Sequence, residues 1–203
     1  MTLIRHNDGV LDAARDCVLA YGVRRTTLTD VARRAGVSRM TLYRRWPDVR
    51  SLVADLMTRE WLRAVEDLDL SEPVAAVVEG VRRLRAHPLW VKIVEADPEL
   101  LLPYLLHRRG ATHDAVLAVL ERVTGDPRAA RAVLLVAQSF LISAPAMTGP
   151  GPGSGPDGGS GGSGQGGGGG ERDEGSDTVT LDDLDAELAT LLEGYLGQLA
   201  QRP

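Results

Sequence analysis

The 203-residue chain has one cysteine, Cys17, and one lysine, Lys92. A single thiol excludes an intramolecular disulfide and fits a reducing compartment. Cys17 lies between Ala14 and Val18 on an apolar helical face, so it reads as a buried structural thiol, with a redox sensor as the alternative. The scarcity of lysine reads as codon bias towards arginine rather than as function. No run approaches the roughly 18 consecutive apolar residues of a membrane span. The opening MTLIRHNDGV has no charged-then-apolar export pattern, so a cytoplasmic protein with no membrane partner is expected. No alternating strand pattern and no fixed-period repeat is present, which leaves helical periodicity and an all-α class. Nucleophile elbows and nucleotide-binding loops are also missing. The histidines, among them His87, His107 and His113, match no metal spacing. Carboxylate pairs such as Asp182–Asp183 read as an ordinary acidic helix start. The expectation is therefore no cofactor, no metal and no enzyme.

What is present is unevenly distributed. The formal net charge is −5, yet the first 50 residues carry ten arginines and five aspartates, a net of +5. From residue 51 onward, 13 basic residues face 23 acidic ones, a net of −10. A basic module on an acidic body suits a protein that offers one face to a polyanion; an unevenly solvated surface is the alternative.

The pattern starts with a stripe of Val10, Ala14, Cys17, Val18 and Tyr21 ending at Gly22. A short helix follows over 30–35, with Thr29 as its cap and Gly36 beyond its end. Ser38 caps a third helix, in which Leu42 and Trp46 share a face until Pro47 stops it. Asp48 caps a long fourth helix, with Val49, Leu52, Val53, Leu56, Trp61, Val65 and Leu68 facing inward. Further helices are expected near 73–86, 89–96, 98–108, 111–124 and 127–144. Residues 149–170 hold 14 glycines and three prolines, a composition that reads as a linker, taken to extend over 149–176. No Gly-Lys-Ser/Thr follows it, which excludes a phosphate loop. A last helix over 180–201 starts at Thr180 and Asp183 and carries Leu181, Leu184, Leu188, Leu191, Tyr195 and Leu199.

The second and third helices, joined by Gly36-Val37-Ser38, form a helix-turn-helix. Small Ala32 lets them approach, Gly36 takes the left-handed turn, and Val37 and Leu42 point inward. Arg39, Met40, Thr41, Arg44 and Arg45 then face out, the first of them where a recognition helix meets base edges. An arginine fork on guanine discriminates by about 1–3 kcal/mol. The alternative is a helical hairpin with a solvated arginine face.

The segment GVRRTTLTDVARRAGVSRMTLYRRWPDVRSLV, about residues 22–53, resembles the TetR family of transcriptional regulators. The Thr-Thr pair, the Ala-Gly-Val-Ser turn, the Thr-Leu-Tyr core and the aromatic-Pro that follows carry the likeness. The resemblance implies a DNA-binding domain over 1–47 and a ligand-binding and dimerisation domain over 48–203. It also implies a double-stranded DNA operator and repression relieved by a small-molecule effector. Thr27 and Tyr43 look like phosphate contacts, and Arg39, Met40, Thr41 and Arg44 look like base-facing positions. Thr29 stands where the first of the two helices begins, as a cap or a backbone contact. The family's lysine at the start of the fourth helix is replaced by Val49, with Arg50 next in line. That departure keeps open a second reading, a sensor or interaction protein that no longer binds DNA.

Candidates for the effector pocket are Trp61, His87, Trp90, Glu95, Tyr104 and His107, which combine apolar faces with polar tips. Ordinary core and surface roles are the alternative. The apolar stretch 130–144 and the last helix suggest a two-fold homodimer through helices near 127–144 and 180–201, where Gly194 and Gly197 would permit close approach. Folding of the last helix onto its own subunit is the alternative. A two-fold dimer requires a near-palindromic operator.

Overall fold

A computed structural model describes residues 2–102, 109–148 and 178–201, with the backbone alone for residues 2–7. The described residues contain no strand, in keeping with the all-α expectation. The helices are α1 (Thr2–Tyr21), α2 (Leu28–Ala35), α3 (Arg39–Arg45), α4 (Val49–Val65), α5 (Pro73–Ala86), α6 (Pro88–Ala96), α7 (Ala111–Thr124), α8 (Pro127–Met147) and α9 (Leu181–Ala200). A 3-10 turn, Pro98–Leu100, follows α6. It replaces the start of the helix expected over 98–108, because Pro98 and the tight Leu101 N–H to Pro98 carbonyl bond favour the shorter repeat. Residues 103–108 of that span, and the linker, lie outside the described residues.

Two apolar clusters organise the molecule. The first joins Val10, Ala14, Cys17 and Val18 of α1 to Val31, Leu42, Leu52, Leu56, Leu89 and Ile93. It therefore continues past residue 47 into α4 and α6. Burial raises the pKa of the Cys17 thiol and keeps it protonated. Tyr21 departs from the expected stripe and is exposed. Gly22 ends α1 in the left-handed region (φ 79°), so Val23 fills the core place instead. The second cluster holds Val81 of α5, Leu117 and Leu120 of α7, Ala130 and Val133 of α8, and Leu188 and Leu192 of α9.

Helix starts follow side-chain chemistry. Asp48 accepts from the Ser51 amide at 2.7 Å, as the cap reading requires. At α9 the Thr180 hydroxyl accepts from the Asp183 amide (3.2 Å), and Asp183 accepts from the Thr180 amide (2.9 Å). In contrast, α2 begins two residues before its expected start. Buried Leu28 belongs to its first turn, and Thr27 rather than Thr29 supplies the cap.

By length (21 residues) and mean hydropathy (1.5), α8 is long and apolar enough to cross a membrane, a property that counting consecutive apolar residues missed. It packs against α5, α7 and α9 through one face, with Ala129, Ala130, Val133 and Ala144 buried. It extends past the expected end at 144 and carries Pro145 in its final turn. The face of α9 turned inward is Asp185, Leu188 and Leu192, whereas Leu181 and Leu191 of the expected stripe are exposed. A Cβ built on Gly194 or Gly197 meets nothing within 4 Å, so neither glycine serves a close approach among the described residues.

Candidate nucleic-acid interface

The helix-turn-helix is set by a small number of contacts. Gly36 is left-handed (φ 67°), and the Val37 amide bonds the Ala32 carbonyl at 3.0 Å to close α2. Ser38 Oγ accepts from the Thr41 amide at 3.2 Å and lies 2.8 Å from the Thr41 hydroxyl. Leu42 is 1% exposed and anchors α3 in the first cluster. Trp46 is also buried, and its indole N–H donates to Asp55 Oδ2 at 2.9 Å, tying the end of α3 to α4. Trp46 is extended (φ −124°, ψ 112°), as a residue before proline prefers. With Leu42 and Trp46 fixed, Arg39, Met40, Thr41, Tyr43, Arg44 and Arg45 are all exposed, Met40 to 70%. Such exposure of a large apolar side chain fits a surface that meets a partner.

Electrostatics separates the arginines into two groups. Arg15 faces Glu60, Arg24 meets Asp97 and Glu99, Arg33 meets Asp30 at 2.8 Å, and Arg34 meets Asp16 at 3.1 Å. Arg25, Arg39, Arg44 and Arg45 have no ion-pair partner among the described residues, Arg50 acts on Asp48 and Glu99 only from beyond 4 Å, and all five are exposed. Among the described side chains of the first 50 residues, the positive charge left over is thus concentrated on α3 and its flanks. Arg45 lies 5.7 Å from the Trp46 ring centroid, a cation–π contact that orients it. Arg25 escaped the sequence reading. Its signal is its place beside Thr26 and Thr27 with no acid at helical spacing to neutralise it.

The remaining expected contacts are placed as follows. The Thr27 hydroxyl is used locally: it donates to Asp30 Oδ2 (2.5 Å) and accepts from the Asp30 amide (3.1 Å). These bonds hold the Asp30 carboxyl below its usual range, the Thr27 hydroxyl being the main cause. Thr29 is half-buried in the first turn of α2 and does not cap it. Val49 packs half-buried against the first cluster, while Arg50 is exposed one position later. A valine there serves the core, and the cation moves to the neighbouring position.

Of the expected pocket residues, Trp61 and Trp90 meet edge to face, with centroids 5.7 Å apart at 62°. His87 caps α6 through Nδ1, which accepts from the Leu89 amide at 3.2 Å, and its Nε2 lies 3.9 Å from Glu60. Burial pushes the pKa of this imidazole down, against the opposing pull of Glu60. Trp90 is buried core, and Glu95 is exposed on α6. Tyr104 and His107 lie outside the described residues.

A capped helix pair with an exposed, unpaired arginine face defines a helix-turn-helix DNA-binding protein. Residues 10–56 match the family described as bacterial regulatory proteins, tetR family. An uncharacterized HTH-type transcriptional regulator of Mycobacterium bovis is 38% identical over 152 residues, spanning 66% of this chain and 79% of that protein. The HTH-type regulator AqdR of Rhodococcus erythropolis is 46% identical over 56 residues, 27% of each. Among solved structures, the TetR family repressor AlkX from Dietzia aligns over 96% of this chain and 97% of its own, with a TM-score of 0.61 and 17% identity, a likeness of fold. The chain belongs to the TetR family and is a DNA-binding transcriptional regulator.

Proposed function

We propose that the protein is a homodimeric repressor that binds a palindromic operator and is released by a small-molecule effector. Residues 1–47 form the DNA-binding unit and the remainder the sensing and dimerising unit. The observation that carries this reading is the set of unpaired arginines on α3 beside a locally neutralised α1 and α2. Arg39, Met40, Thr41 and Arg44 read bases. Tyr43, Arg45 and Arg50 hold phosphates, joined by Arg25. Ser38 and Thr27 act mainly as caps that aim the helices. The exposed Leu135 and Met147 of α8 and Leu181 and Leu191 of α9 supply an apolar surface for a second subunit. Acting on the chromosome, the protein works in the cytoplasm, and it performs no chemistry on its effector. A mobility shift with DNA from upstream of its own gene tests the reading. Binding that weakens steeply as salt rises is expected, because arginine–phosphate contacts release counterions. Absence of binding at low salt would favour the sensor without DNA binding.

A further inference from the structure

The outward face of α3 has a centre and edges. Leu42 is buried and fixes the inward side of the helix, with buried Trp46 one turn later. At about 100° per residue, Met40 and Arg44, two positions before and after Leu42, each lie about 160° round from it. They therefore point most directly away from the core and, four residues apart, share one row. The flanking side chains have local attachments: the Thr41 hydroxyl lies 2.8 Å from Ser38 Oγ, and Arg45 stacks on the Trp46 ring. The two central side chains differ in chemistry. Arg44 is exposed and has no ion-pair partner among the described residues. Met40, 70% exposed, is the most exposed large hydrophobic side chain among the described residues. Its thioether has no donor and is only a weak acceptor, so it does not read the polar edge of a base. Its unbranched, polarizable chain is suited to packing against carbon. In the major groove, the carbon group that varies with sequence is the 5-methyl of thymine.

We propose that Met40 selects thymine through its 5-methyl group, close to a guanine read by Arg44. The assignment rests on the reading of α3 as the base-facing helix and names the bases that it takes. Four residues of helix rise about 6 Å, and base pairs stack about 3.4 Å apart, so the thymine and the guanine lie within about two base pairs of each other in each half-site. A methyl at the same position of cytosine presents the same carbon to Met40. The preference for thymine therefore brings with it a preference for 5-methylcytosine over cytosine.

The test starts with selection of duplexes from a randomised library by the full chain, after which an enriched duplex is remade with single replacements. Deoxyuridine, which lacks only the methyl of thymine, should lower affinity about fivefold at one thymine near a guanine, the low end of base discrimination. At that same position 5-methylcytosine should bind several-fold more tightly than cytosine. Met40→Ala should abolish both differences, and Met40→Leu, still apolar, should keep them. Arg44→Ala should relax the guanine preference and leave the methyl effects in place. Equal affinity of thymine and deoxyuridine at every position, or methyl effects that survive Met40→Ala, would overturn the assignment while the helix-turn-helix reading stands. Absence of any enriched duplex would overturn both.

Discussion

The carboxylate of Asp97, 2% exposed, accepts a 2.7 Å hydrogen bond from the backbone amide of Val23. Asp97 follows α6, whereas Val23 opens the loop that leads into the helix-turn-helix. The same carboxyl faces Arg24 at 3.4 Å, and Arg24 also bonds Glu99 at 2.6 Å. Left-handed Gly22 makes room: a Cβ there would meet Asp97 Oδ2 at 3.0 Å. Side chains that follow α6 thus grip the loop that enters the helix-turn-helix. Asp97→Ala leaves a buried amide without an acceptor, at a cost of about 1–3 kcal/mol. A fall in Tm of several degrees is expected by thermal denaturation. An unchanged Tm would mean that the contact carries no stability.

A second prediction concerns α9. Asp185, 2% exposed, accepts from Arg85 at 2.5 Å and from Arg82 at 3.3 Å. Removing it strands the Arg85 guanidinium, whose side chain is 9% exposed, inside the body. Asp185→Ala should destabilise by about 3–5 kcal/mol, and the double variant Asp185→Ala with Arg85→Met should recover part of that loss. Denaturant unfolding of the single and double variants measures the coupling; strict additivity would rule out the pair as a unit.

Much of this was legible in the sequence. Ser38, Asp48 and Thr180 cap because short oxygen-bearing side chains at a helix start have one dominant local use. The recognition helix followed from Gly36, Leu42 and Trp46. Asp185 was not legible, since an aspartate within a leucine stripe looks solvated until Arg82 and Arg85, about 100 residues earlier, are brought to it. The Asp97–Val23 bond escaped for the same reason: it joins residues distant in sequence. Thr29 was expected to cap α2, but burial of Leu28 in the first turn gives that place to Thr27.

The recognition helix gives a third prediction. Arg39→Ala should relax base preference at one operator position, with a discrimination loss of about 1–3 kcal/mol. Tyr43→Phe should instead weaken all sequences alike. Ser38→Ala should cost about 1 kcal/mol of stability through the lost cap. Competition binding across single-base operator variants separates the first two effects, and a reversed pattern would exchange the assigned roles.

The histidines give a fourth. Burial lowers the pKa values of His87 and His113 from about 6.5, while Glu60 pulls His87 upward and Arg15 downward. The unfolded chain therefore takes up these protons first. Stability is full above pH 6.5 and falls as pH drops through that value towards the lower folded ones. His87→Asn keeps a capping side chain at the start of α6 but does not titrate. The loss of Tm between pH 7.5 and 5.5 should be smaller in this variant, and an identical loss would exclude His87 as a contributor.

The central claim is that the unpaired arginine face of α3 reads a two-fold operator. Selection of bound genomic fragments by the purified full chain at moderate salt measures it most directly. The account predicts enrichment of one near-palindromic sequence, lost on Arg39→Ala. Retention of fragments without a shared palindrome, or of none, would contradict it.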